Sequence, residues 1–96
     1  MYEKKSTPLS EALRLLRIYS DISQGDMALN LNFQYNVLSQ IESGRRGITL
    51  KTLDKYALFF DIKVKDITFF AEQIKDKKNI KKDIFNHIMQ TIKEGI

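Results

Sequence analysis

The chain contains no cysteine and only one histidine, His87. Without cysteine there can be no disulfide and no thiolate zinc site, and one histidine cannot build a metal site alone. No apolar stretch approaches the roughly 20 residues needed to span a bilayer. The N-terminus is polar and shows no secretory signal, so a soluble cytoplasmic protein is expected. No alternating apolar-polar stretch of strand length occurs, which points to an all-α fold. Internal repeats and low-complexity tracts are also missing. Paired carboxylates, a nucleophile with its base and a phosphate-cradling glycine loop are all lacking, so neither an enzyme nor a cofactor is expected.

What is present fits one domain with an additional helix, given 96 residues. Sixteen Lys and Arg against twelve Asp and Glu leave a net charge of +4. That excess is compatible with a polyanionic partner but does not select one.

Residues 1–8 read as a flexible arm, in which Lys4 and Lys5 belong to a disordered tail. Thr7 followed by Pro8 starts a first helix, because Thr is a good N-cap and Pro suits the first helical position. Leu9, Ala12, Leu13 and Leu16 keep helical spacing to about Ser20. Ser23 and Asp26 form a variant of the capping box for a second helix, with Met27, Ala28 and Leu31 inward. Asn32 is the break, since asparagine tolerates positive φ. A third helix runs from about Gln34 to Ser43 and stops near Gly44. Only Leu38 and Ile41 of this helix point inward, and its small and polar residues point outward. Thr49 caps a fourth helix with Leu50, Leu53, Ala57 and Phe60 inward, and Asp61 ends it. A fifth holds Ile67, Phe70 and Ile74. Phe59, Phe60, Phe69 and Phe70 read as core or interface aromatics.

Two short helices either side of a tight break, the second with a polar outer face, have the layout of a DNA-reading helix-turn-helix. The chain resembles the Xre, or lambda-repressor-like, family of regulators from about Leu9 to Phe70. The resemblance is carried by Arg17, Ser23-Gln24, Met27-Ala28, Asn32, Ser39-Gln40-Ile41-Glu42-Ser43-Gly44, Thr49-Leu50, Ala57 and Ile67. Four positions depart from the family pattern. Gly25 lies in the first turn of helix two, Asn32 replaces a turn glycine, Gln34 replaces a Ser or Thr cap, and Asp61 stands where glycine is common.

The resemblance implies a five-helix DNA-binding domain over residues 9–74. It places Tyr35, Asn36, Ser39 and Gln40 on the outer face of the recognition helix, toward the bases. Asn and Gln can bond bidentately to adenine, and Val37 can touch a thymine methyl. Gln24 at the start of helix two, and Arg45 and Arg46 after helix three, are placed for phosphates. Arg17 and Glu42 are expected to pair as a structural clamp that fixes the angle between helices.

Residues 75–96 read as a C-terminal amphipathic helix. At about 100° per residue, Ile80, Ile84, Phe85, Ile88, Met89, Ile92 and Ile96 fall on one half. Such a face calls for cover, and a twin subunit is the expected one, with Ile80, Ile84, Phe85, Ile88 and Ile92 at the dimer interface, packing back onto the chain's own domain being the alternative. Lys75, Lys77, Lys78, Lys81 and Lys82 read as a solvated joint, and His87 as exposed. The expected function is sequence-specific binding of double-stranded DNA by a homodimeric regulator, most simply a repressor. Three alternatives accompany it: an antitoxin whose last helix holds a toxin, a restriction-modification controller sharing the Ile48-to-Leu53 region, and a protein-interaction module.

Overall fold

Local capping sets the helix boundaries, and the computed structural model describes residues 6–76 and 81–94. Six helices and no strand occur among the described residues: α1 (Pro8–Ile18), α2 (Gln24–Leu31), α3 (Tyr35–Ser43), α4 (Leu50–Phe60), α5 (Val64–Asp76) and α6 (Lys82–Lys93). The all-α architecture of a lambda-repressor-like domain with an added C-terminal helix is therefore present.

Thr7 and Ser10 satisfy each other at the start of α1. The Ser10 N–H donates to Thr7 Oγ1 at 3.0 Å, and the Thr7 N–H donates to Ser10 Oγ at 2.9 Å. Ser23 and Thr49 accept from Asp26 and Thr52 in the same way. Gln34 makes no side-chain cap bond, so α3 starts without one.

Asn32 and Asp61 end α2 and α4 in the left-handed conformation, at φ 58° and 56°. That region costs an ordinary L-residue of order 1 kcal/mol, and Asn and Asp visit it most readily. After Asn32 the Phe33 N–H returns to the Ala28 carbonyl at 2.8 Å, which closes the sharp turn into α3.

Packing then follows the apolar stripes. α1 lies on α5 and α3, α2 on α3, and α4 on α5 and α2. Leu13, Leu16, Met27, Leu38, Ile41, Tyr56, Ile67 and Phe70 are the large side chains sealed at the centre, each worth roughly 1.5–3 kcal/mol of burial. The fourth helix is turned differently from the expectation. Leu50 is 67% exposed, whereas Thr52 and Tyr56 are buried beside Leu53 and Ala57. At 100° per residue Leu50 lies about 70° off the centre of the Leu53, Tyr56, Ala57 and Phe60 face.

The last helix also departs from the expectation. Phe85 packs against Tyr19 of α1 and Phe70 of α5, with ring centroids 5.0 and 5.4 Å apart. Phe85 and Ile88 keep only 4% and 7% of their surface exposed, and Ile84, Met89 and Ile92 lie half-buried against the same core. The apolar half assigned to a second subunit thus covers the chain's own domain. Burial within one chain gains the same apolar free energy as burial across an interface, without the cost of association. Ile80 and Ile96 lie outside the described residues, as do Lys77 and Lys78.

Candidate nucleic-acid interface

Three residues of α3 turn inward: Leu38, Ile41 and Glu42. Leu38 and Ile41 supply the apolar anchor. Glu42 is only 1% exposed, and a carboxylate at that depth needs its oxygens occupied. Arg17 Nε donates to both oxygens, at 2.8 and 3.1 Å. Gln24 Nε2 donates to Oε1 at 3.3 Å, and the Tyr56 hydroxyl donates to Oε2 at 2.9 Å. Arg17 Nη1 also donates to the Ile22 carbonyl at 2.8 Å. One carboxylate on α3 therefore ties together α1, α2 and α4. Among the described residues no buried side-chain nitrogen or oxygen lacks a partner.

Arg17 and Glu42 are brought together, as the clamp requires. Tyr56 was missed by sequence reasoning. It is sealed from solvent, and burial first, then the Glu42 charge, pushes its phenol well above the ordinary tyrosine value. It falls on the same stripe as Leu53, Ala57 and Phe60, which was the available signal. Lys55 was missed as well. Its ammonium donates to the Leu31 carbonyl at 2.8 Å and lies 4.5 Å from the centre of the Phe33 ring, so α4 holds the end of α2 just before the turn.

The opposite face of α3 is open. Tyr35 and Asn36 are exposed, and Val37, Ser39 and Gln40 are half-exposed. Asn36 and Gln40 are four residues apart, so they stand one above the other on one face. Gly44 ends α3 at φ 82°, and the Arg45 N–H returns to the Gln40 carbonyl at 2.9 Å. Arg45 and Arg46 are exposed beyond it. Arg46 is not a free cation, however. Its Nε and Nη2 donate to Gln40 Oε1 at 3.1 and 2.9 Å. Gln24, expected at a phosphate, is half-buried with one amide N–H directed to Glu42.

The chemistry of this surface is that of a polar helix face flanked by guanidinium groups. The pieces are side-chain amides and hydroxyls for base edges, and cations for phosphate oxygens. Among the described residues no group of His, Cys, Asp and Glu is arranged to hold a metal, and no helix is long and apolar enough to cross a membrane.

Comparisons with known proteins agree with this geometry. The family described as Helix-turn-helix matches residues 13–67, more than half of the chain, from α1 to the first turn of α5. In fold, the chain is similar to the crystal structure of the restriction-modification controller protein C.AhdI from Aeromonas hydrophila. The TM-score is 0.59 at 24% identity, covering 64% of this chain and 92% of that one. No curated protein sequence matches. The chain belongs to the helix-turn-helix family and is a DNA-binding transcriptional regulator.

Proposed function

We propose that this regulator binds double-stranded DNA sequence-specifically as a homodimer on a pseudo-palindromic operator, and that occupancy represses transcription. The observation that carries the reading is the two-sidedness of α3. Its inner side is locked by Leu38, Ile41 and Glu42, and its outer side presents Tyr35, Asn36, Ser39 and Gln40. A base-reading helix needs both properties, since small errors in position remove hydrogen bonds. Val37 at the edge of that face suits a thymine methyl. Gln24 and Arg45 serve backbone phosphates, and the Arg17–Glu42 pair fixes the angle of α3.

Two-fold symmetry places one α3 in each of two successive major grooves, with half-sites about 10–10.5 base pairs apart. Because α6 covers its own domain, the dimer contact draws on what remains open. Among the open apolar groups are the half-buried edge of α6 at Ile84 and Ile92 and the exposed Phe59 and Phe69, beside the still more exposed Leu29, Leu50 and Leu58. Selection of duplexes from a randomised pool tests the reading. Enrichment of two inverted half-sites one turn apart is expected, together with a dimer by sedimentation. No enrichment over the starting pool contradicts it.

A second reading has one observation in its favour. The fold shared with a restriction-modification controller suggests control of such genes, and a selected operator lying beside an endonuclease gene would support it.

A further inference from the structure

The contact between Arg46 and Gln40 bears on which base α3 can read. A guanidinium carries five N–H donors and no acceptor, so the Gln40 amide must turn its oxygen toward Arg46 and its NH₂ away. That oxygen has two lone-pair sites, and Arg46 Nε and Nη2 fill both, at 3.1 and 2.9 Å. The backbone keeps the two residues together. After the left-handed Gly44, the Arg46 N–H itself donates to the Gln40 carbonyl at 3.2 Å. Arg46 is thereby folded back over the last turn of α3, and its rigid fork needs little further ordering to hold the amide.

A glutamine that reads adenine uses both halves of its amide. The oxygen accepts from N6 and the nitrogen donates to N7. With its oxygen occupied, Gln40 has only donors to offer, and the unused N–H groups of Arg46 beside it are donors as well. In the major groove guanine alone presents two acceptors, N7 and O6. Adenine sets an amino donor beside N7, thymine has one acceptor next to a methyl, and cytosine presents a donor. We propose that Gln40 and Arg46 form one donor-only unit that reads guanine. Asn36, one turn earlier, makes no side-chain hydrogen bond to a described residue and keeps the complete amide that suits adenine. The inference rests on the reading of α3 as the base-reading helix, and it reassigns Arg46 from a phosphate to Gln40.

The test is selection from a randomised duplex pool with the full chain and with Gln40→Ala, Asn36→Ala and Arg46→Ala. None of these side chains belongs to the sealed core, so each variant should fold. The positions read by Gln40 and Asn36 are those whose preference disappears in the corresponding alanine variant. The unmodified chain should prefer guanine at the Gln40 position by on the order of tenfold or more over adenine. In Arg46→Ala the amide oxygen is freed, so the preference there should move toward adenine while the Asn36 position stays unchanged. Adenine at the Gln40 position of the unmodified chain overturns the inference. So does an Arg46→Ala variant that binds every duplex more weakly with the same base preference, because Arg46 would then serve a phosphate. A pool left unenriched by the unmodified chain overturns the base-reading role of α3 itself, and the inference falls with it.

Discussion

α3 and α6 are both short amphipathic helices, yet the chain holds them in different ways. α3 is fixed by two sealed aliphatic side chains and by a buried carboxylate with donors from three other helices. α6 rests on its neighbours chiefly through Phe85 and Ile88, and its Lys82–Asp21 ion pair is a 3.9 Å contact between exposed groups, which adds little. A polar network inside a protein is directional and fixes an angle. An apolar face is non-directional and fixes only that something covers it. The helix that must present side chains to a partner is held by the first kind of contact, and the accessory helix by the second.

The largest expected effect breaks the first kind of contact. Glu42→Ala leaves the Arg17 guanidinium buried without its partner, and a loss of about 3–5 kcal/mol is expected from thermal or denaturant unfolding. A double-mutant cycle with Arg17→Ala should show strong coupling, whereas additive losses would mean that the pair does not act as one unit.

Tyr56→Phe comes next, because it deletes one hydrogen bond to a charged group, worth about 1.5–3 kcal/mol. It also changes the response to alkali. Folding holds the phenol protonated, so its contribution is complete below the ordinary tyrosine value of 10.0 and is lost as pH rises above it. Stability curves for the chain and for Tyr56→Phe should converge as pH climbs beyond that value. Parallel curves would show that the phenol is not held in this way.

Phe85→Ala should do less to the main transition, about 1 kcal/mol or below, if α6 opens as a separate unit. Hydrogen exchange should accelerate at α6 amides and stay slow across α3. Equal acceleration in both would make α6 part of the same cooperative core. Smallest in stability is Arg45→Ala, an exposed change that should leave the melting curve in place and lower the salt slope of DNA binding by about one. An unchanged slope would place Arg45 away from the phosphates.

The contrast between the two helices also marks how far the sequence could be read. Caps are local, so Thr7, Ser23, Asn32 and Thr49 were legible at their own positions. The narrow stripe of α3 was legible too, since few inward residues leave an unambiguous outer face. The broad stripe of α6 said how much surface needs cover but not whose surface covers it. Outside the Arg17–Glu42 pair, long-range polar partners were not legible: the α4 stripe marks Tyr56 as buried but not as the partner of Glu42, 14 residues away, and Lys55 lies 24 from the Leu31 carbonyl it caps. The fold of Arg46 onto Gln40 depends on the left-handed turn at Gly44, which redirects a loop that otherwise reads as two free cations.

The central claim is that the outer face of α3 reads bases while its inner face is held still. Fluorescence anisotropy titrations of Asn36→Ala, on the selected operator and on a random duplex at the same salt, test it most directly. A loss of about 1–3 kcal/mol on the operator and little on the random duplex is predicted. Equal losses on both duplexes would contradict base reading by α3.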